Sequence, residues 1–140
     1  MQDFVHLHVH TQYSLLDGQA SVARLVDKAM KNGMKGIAVT DHGNMFGIKE
    51  FTNYVNKKNS GPKGEIKDLK KRIAGIEAGT VECEDKEAEI AACKAKIVEA
   101  ENKLFKPIIG CEMYVARRTM DLKEGKPDQS GYHLIVLAKN

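Results

Sequence analysis

The sequence predicts an α/β domain built on parallel strands, and three observations carry that prediction. Short apolar runs alternate with segments of helical periodicity, in the order strand, helix, strand, helix, strand. That order implies parallel strands joined by right-handed crossovers. The residues with chemistry to offer gather at the ends of the apolar runs, where parallel α/β sheets place their sites. Finally, one stretch stands outside the alternation and keeps a heptad-like spacing of its own.

The first strand is read in "FVHLHVH", Phe4 to His10, where Val5, Leu7 and Val9 alternate with His6, His8 and His10. A period of two puts the histidines on one face. A polar loop, Thr11 to Gly18, follows. Ser21 is placed to cap a helix whose inward positions are Val22, Leu25, Val26, Ala29 and Met30, and Gly33 suits a left-handed C-cap. "GIAVTDHG" gives a buried strand, Ile37 to Val39, ending in Asp41, His42 and Gly43. A second helix turns Phe46, Phe51, Tyr54 and Val55 inward. "KPIIGCEMYV" and "HLIVLA" are two further strands, the latter apolar enough to be covered on both faces.

The exception begins after "NSGPKG", Asn59 to Gly64, a linker by composition. Ile66, Leu69, Ile73 and Ile76 repeat at steps of three and four, Gly79 breaks the pattern, and Cys83, Ile90, Cys93, Ile97, Ala100 and Leu104 resume it. This predicts an antiparallel helical hairpin over 64–104, inserted between two strands. Its second helix starts acidic and ends basic, as the helix dipole favours, and its acids would lie near Lys70, Lys71 and Arg72. It reads as a solvated projecting arm, or as a contact surface for a partner.

Bulk properties narrow the function. The chain has 140 residues, 42% hydrophobic and 29% charged, enough for one soluble domain with a modest core. A net charge of +3 is too mild to argue for nucleic-acid binding by itself. There is no apolar run of membrane-spanning length and no signal-peptide pattern. Cys83, Cys93 and Cys111 form no CxxC pair, so reduced thiols in a cytoplasmic protein are expected.

His8 and His10 end the first strand one pleat apart, so their imidazoles reach a common point. His42 follows the second strand beside Asp41, Glu112 lies in the third after Gly110, and Asp17 lies on the first loop. Mixed His/Asp/Glu ligation suits zinc, manganese or iron. Each residue has a plainer reading alone: Asp41 as a helix cap, Glu112 as a salt-bridge partner, Asp17 as turn chemistry. One metal cluster explains them together. His6 lies a further pleat back and reads as a buried, hydrogen-bonded histidine. His133 begins its strand, so in a parallel sheet it would sit at the wrong end. Cys111 alternates with Glu112 and reads as a buried thiol.

The strings "HLHVHTQYSLLDG", "AVTDHGNMFG", "KPIIGCEMYVA" and "YHLIVLAKN" closely resemble the PHP (polymerase and histidinol phosphatase) domain at the start of bacterial replicative DNA polymerase III alpha subunits. "YSLLDG" and "KPIIGCEMYVA" are similar to the polymerase branch rather than the stand-alone phosphatase branch. The resemblance implies a distorted TIM-like barrel of parallel strands, of which residues 1–140 would be the incomplete N-terminal part. It implies a cluster of up to three divalent metal ions, zinc or manganese. Position by position it assigns His8, His10, Asp17, His42, Glu112 and His133 as ligands, with Asp41 orienting a ligand or a water. The hairpin is longer than the loop expected there, and the later ligand motifs and every polymerase element are missing.

For the parent protein the resemblance implies a DNA-directed DNA polymerase (nucleotidyltransferase) of DNA replication, its polymerase site lying outside this chain. For the PHP part it implies a metal-dependent phosphoesterase, either a 3′–5′ proofreading exonuclease or a pyrophosphatase. The alternatives are a metal-stabilised platform for the polymerase core and a separate proofreading exonuclease subunit, or a histidinol-phosphatase-like phosphoesterase. Implied partners are the rest of the alpha subunit, that exonuclease subunit, other replisome subunits, and DNA through the full-length protein, with no membrane.

Overall fold

Among the described residues, four helices and three strands follow one another as α1 (Val22–Lys31), β1 (Gly36–Val39), α2 (Ile48–Lys58), α3 (Ser60–Glu77), α4 (Lys86–Asn102), β2 (Lys106–Val115) and β3 (Tyr132–Leu137). They are seen in a computed structural model that describes residues 4–126 and 129–139. The chain divides into two units, Met1–Val55 with Lys106–Asn140, and Asn56–Phe105.

In the first unit β1 is buried along its whole length, as its unbroken apolar run requires. It pairs in parallel with β2, from Gly36 opposite Lys106 to Val39 opposite Ile109. β2 pairs with β3, from Gly110 opposite Leu137 to Val115 opposite Tyr132, and this pairing is antiparallel. The sheet order is β1-β2-β3. An all-parallel sheet was expected, and β3 corrects it. A parallel return needs a crossover, usually a helix, whereas no α-helix occurs among the described residues between β2 and β3. The outer strand is also less covered than its composition predicted, since Leu134 and Val136 are exposed.

The segment Phe4 to His10 forms no regular strand and bends at Leu7. Ala38 N donates to His6 O and Thr40 N to Val9 O, both at 2.9 Å. Three residues on one side thus answer two on the other, a bulge-like slip that breaks the clean alternation. Leu7 is consequently exposed. His6 is exposed as well, not buried, with its ring edge-on to Phe4 at 4.7 Å between centroids.

α1 buries Val22, Val26 and Ala29. Ser21 holds the N-cap position without a side-chain bond. Gly33 takes φ 77° at the other end, where Met34 N donates to Ala29 O and Gly33 N to Met30 O, the paired bonds of a Schellman stop. In α2 Phe51 and Val55 are buried and Tyr54 is half-buried, its hydroxyl donating to Asp27. Phe46 was expected inward but precedes the helix and is exposed.

In the second unit the expected linker is helical. α2 stops at Lys58 because Pro62, four residues on, has no N–H for the Lys58 carbonyl. Within the first turn of α3 that missing donor costs nothing, since first-turn N–H groups have no intrahelical acceptor. α3 and α4 pack together and bury Ile76, Cys93, Ile97 and Ala100. Gly79 turns the chain at φ 74°, and Asp85 caps α4 by accepting from Ala88 N at 3.0 Å. Arg72 pairs with Glu89 at 2.8 Å, from among the charges predicted to meet. Asn59 closes the base, its buried amide donating to Phe105 O at 2.8 Å and accepting from Phe105 N at 2.9 Å. The helical unit therefore spans 56–105 where the periodicity predicted 64–104. No helix among the described residues is long and apolar enough to cross a membrane.

Candidate metal centre

The parallel pairing of β1 and β2 continues one step beyond β1. Glu112 N donates to Asp41 O at 3.1 Å, Gly43 N donates to Glu112 O at 2.9 Å, and His42 bridges Glu112. Backbone bonds on both sides thus fix Glu112 beside His42. β3 brings His133 to the same place. Its antiparallel direction sets His133 opposite Tyr114, one diagonal from Glu112 on the shared face. The objection that His133 begins its strand holds only for a parallel sheet.

The loop 11–18 supplies Asp17, and Asp41 builds that loop. The Asp41 carboxylate is buried and accepts from Thr11 N at 2.6 Å, Thr11 Oγ1 at 2.9 Å and Ser14 Oγ at 3.1 Å. Ser14 Oγ in turn accepts from His42 N at 2.9 Å. Asp17 N and Gly18 N both donate to Ser14 O. Gly18 is obligatory in so tight a turn, because a Cβ there would lie 1.8 Å from Thr11 O. Asp41 therefore neither caps α2 nor faces the cluster; its oxygens are taken up by the loop that delivers Asp17.

The side chains converge closely. His8 Nε2 and His10 Nε2 lie 3.1 Å apart, and each contacts Glu112 Oε2, at 3.1 and 2.5 Å. His133 Nδ1 is 2.7 Å from Glu112 Oε1. Asp17 offers one oxygen to His10 Nδ1 and the other to His42 Nδ1, each at 3.1 Å. Glu112 is 5% exposed, whereas His8, His133 and Asp17 face solvent, so the cluster has a buried floor and an open side. Burial pushes the Glu112 carboxyl up, but hydrogen bonds and charge from His8 and His10 outweigh it and hold the group below the usual glutamate range.

Among the described residues three groups have ligand atoms within 4.8 Å of one another: His8, His10 and Glu112; His10, Asp17 and His42; His42, Glu112 and His133. His10, His42 and Glu112 each belong to two of them. Four imidazoles and two carboxylates, with no thiolate, suit borderline to hard divalent cations. All six ligand candidates read from the sequence are brought together here.

Two neighbours escaped the sequence reading. The Tyr114 ring stands 5.0 Å from that of His42 and 5.4 Å from that of His133. Its position two residues after Glu112 put it on the same strand face, which was the available signal. Ser14 holds the His42 backbone, and no sequence signal marks that role. Cys111 is buried away from the cluster, its thiol donating to the Asp41 and Asn44 carbonyls, and burial pushes its pKa up.

A family model described as "PHP domain" matches residues 6–97, more than half of the chain. The chain belongs to the PHP domain family. The match takes in His8, His10, Asp17 and His42; Glu112 and His133 lie after it. This PHP domain is 39% identical over 140 residues to DNA polymerase III subunit alpha of Borreliella burgdorferi, covering 98% of this chain and 8% of that protein. The same subunit of Treponema pallidum is 38% identical over 138 residues, again 98% of this chain and 8% of the relative. That of Aquifex aeolicus is 54% identical over 50 residues, 36% of this chain and 4% of the relative. The chain thus spans about 8% of the length of the curated relatives that match it along its whole length.

Proposed function

We propose that this PHP domain holds a cluster of divalent metals, zinc or manganese and up to three in number, and acts as a metal-dependent phosphoesterase. The observation that carries the reading is the set of three overlapping His/carboxylate groups sharing His10, His42 and Glu112. Cations held there supply Lewis acidity toward a phosphoryl oxygen and bring the pKa of bound water near neutrality. The chain's own residues do the rest. His8, His10 and His133 present nitrogens around Glu112, whose buried carboxylate is the anionic floor common to two of the groups. Asp17 fixes the orientation of the His10 and His42 rings, or joins them as a ligand. Asp41 is a positioning residue that holds the loop bearing Asp17. The open side leaves His8, His133 and Asp17 within reach of a phosphate, either a DNA 3′ end or pyrophosphate.

In this reading the domain is part of a DNA polymerase III alpha subunit, in which it works beside a DNA-directed polymerase and a proofreading partner, in the cytoplasm and with DNA as the parent's substrate. The three strands described would belong to a larger PHP barrel. A structural role for the cluster is the second reading. It is favoured by the way the cluster ties residues 8–17, 42, 112 and 133, which are distant in sequence. Elemental analysis and a phosphodiesterase assay on the whole subunit separate the two. The double variant His8→Ala with His10→Ala should lose most bound metal, and hydrolysis at the DNA 3′ end should fall at least a hundredfold. Unchanged metal content would overturn the site; lost metal with unchanged hydrolysis would leave only the structural reading.

A further inference from the structure

A cavity of about 260 Å³ opens directly beside the cluster, and Asp17 and His42 line both. Its other walls are Tyr13, Leu15, Leu16, Asn44, Phe46 and Tyr114. We infer that this cavity seats the base of the nucleotide whose phosphate the metal centre holds, by stacking and without reading the base's edges. The inference rests on the phosphoester reading above and adds the part of the substrate that the cluster does not touch.

Three observations support it. Leu15, Leu16 and Phe46 are 89%, 102% and 76% exposed, an apolar group displayed next to a charged cluster rather than folded into the core. Pockets for drug-sized ligands run from about 300 to 1,000 Å³, so this one has room for a single ring system and not for a second nucleotide. Two polar groups of the wall are already committed. Asn44 Nδ2 donates to Tyr13 O and His42 O, and its Oδ1 accepts from Phe46 N. The Tyr13 hydroxyl donates to Glu50 at 2.7 Å. The surface beside them is mainly apolar and aromatic, from Leu15, Leu16, Phe46 and the Tyr114 ring, and such surface accepts any base because every base has a π-face. Tyr114 joins the two sites, since its ring packs on His42 and His133 and also lines the cavity. It is held there over Gly43, where a Cβ would come within 2.5 Å of the Tyr114 ring.

Calorimetric titration of the zinc-loaded chain with inorganic phosphate, thymidine monophosphate and deoxyadenosine monophosphate tests this without any turnover. Both nucleotides should bind about tenfold more tightly than phosphate, as one stacked base provides. In Phe46→Ala that ratio should fall toward one, with Leu16→Ala as a second variant at a still more exposed position. A wild-type ratio of one would overturn the cavity assignment and leave the metal site standing, as would a ratio unmoved by both variants. A preference of tenfold or more for one base would overturn the claim that edges are not read. If phosphate binding survives His8→Ala with His10→Ala, the phosphoester reading fails, and the cavity assignment fails with it.

Discussion

Glu112 accepts contacts from three imidazoles with only two carboxylate oxygens, on a side chain almost wholly out of water. Its folded-state pKa is depressed, so the stabilisation it gives is present above the unfolded-state value of about 4.3 and is lost as pH falls through the folded value. Thermal melts of the chelator-treated chain should therefore show a gap between wild type and Glu112→Gln that is widest near neutrality and narrows as pH falls below the unfolded-state value of about 4.3. A gap that stays constant down to pH 3 would refute the depressed carboxyl. His8 and His10 were legible because a period of two survives in the sequence even where the ladder it implies is broken by a slip. The exposure of His6 was not, because that slip depends on how residues 6–9 meet residues 38–40. Asp41 was placed at the site by its neighbour His42, but its side chain turns to Thr11 and Ser14, partners set by the fold of a loop rather than by adjacency.

At the scale of elements, the helices α3 and α4 were the most legible part, since a stripe of Ile and Leu at steps of three and four has one helical meaning. The start of α3 was hidden by Gly61, Pro62 and Gly64, which read as a break although the first turn of a helix accommodates a proline. The direction of β3 was the opposite case. An apolar strand looks the same run either way, and only the pairing of His133 with Tyr114 decides it. The base of the helical unit rests on Asn59, whose amide satisfies both the N–H and the C=O of Phe105. Asn59→Ala would strand two buried backbone groups at about 1–3 kcal/mol each. With roughly 4 °C lost per kcal/mol in a chain of this size, the melting temperature should drop by at least about 8 °C. A shift within 1 °C, read by circular dichroism, would show that the clamp contributes nothing.

At the scale of the molecule, the two faces of the β2–β3 ribbon differ in kind. Glu112, Tyr114 and His133 share one face; Met113, Val115, Tyr132, Leu134 and Val136 share the other, and all five are exposed. Among the described residues β3 has a strand neighbour on one side only. An apolar face beside an open edge recruits other chains. The 140-residue chain on its own is therefore expected to self-associate, and Leu134→Lys with Val136→Lys should shift it toward monomer in light scattering. A monodisperse wild-type monomer at high concentration would contradict this. The sequence made the strands visible but not this asymmetry, because which face finds a cover is decided by packing and not by composition.

The convergence at Glu112 also orders events in time. Its partners are drawn from position 8 to position 133, so the last of these contacts forms only after almost the whole chain has been gathered. Closing such long loops is entropically costly and slow, while α1, α3 and α4 need only their own neighbours. Helicity should then recover early in refolding and cation affinity late. The centre is in that sense a gauge of completed tertiary order: a substitution far from it that loosens the sheet should release metal while the far-ultraviolet spectrum still looks intact.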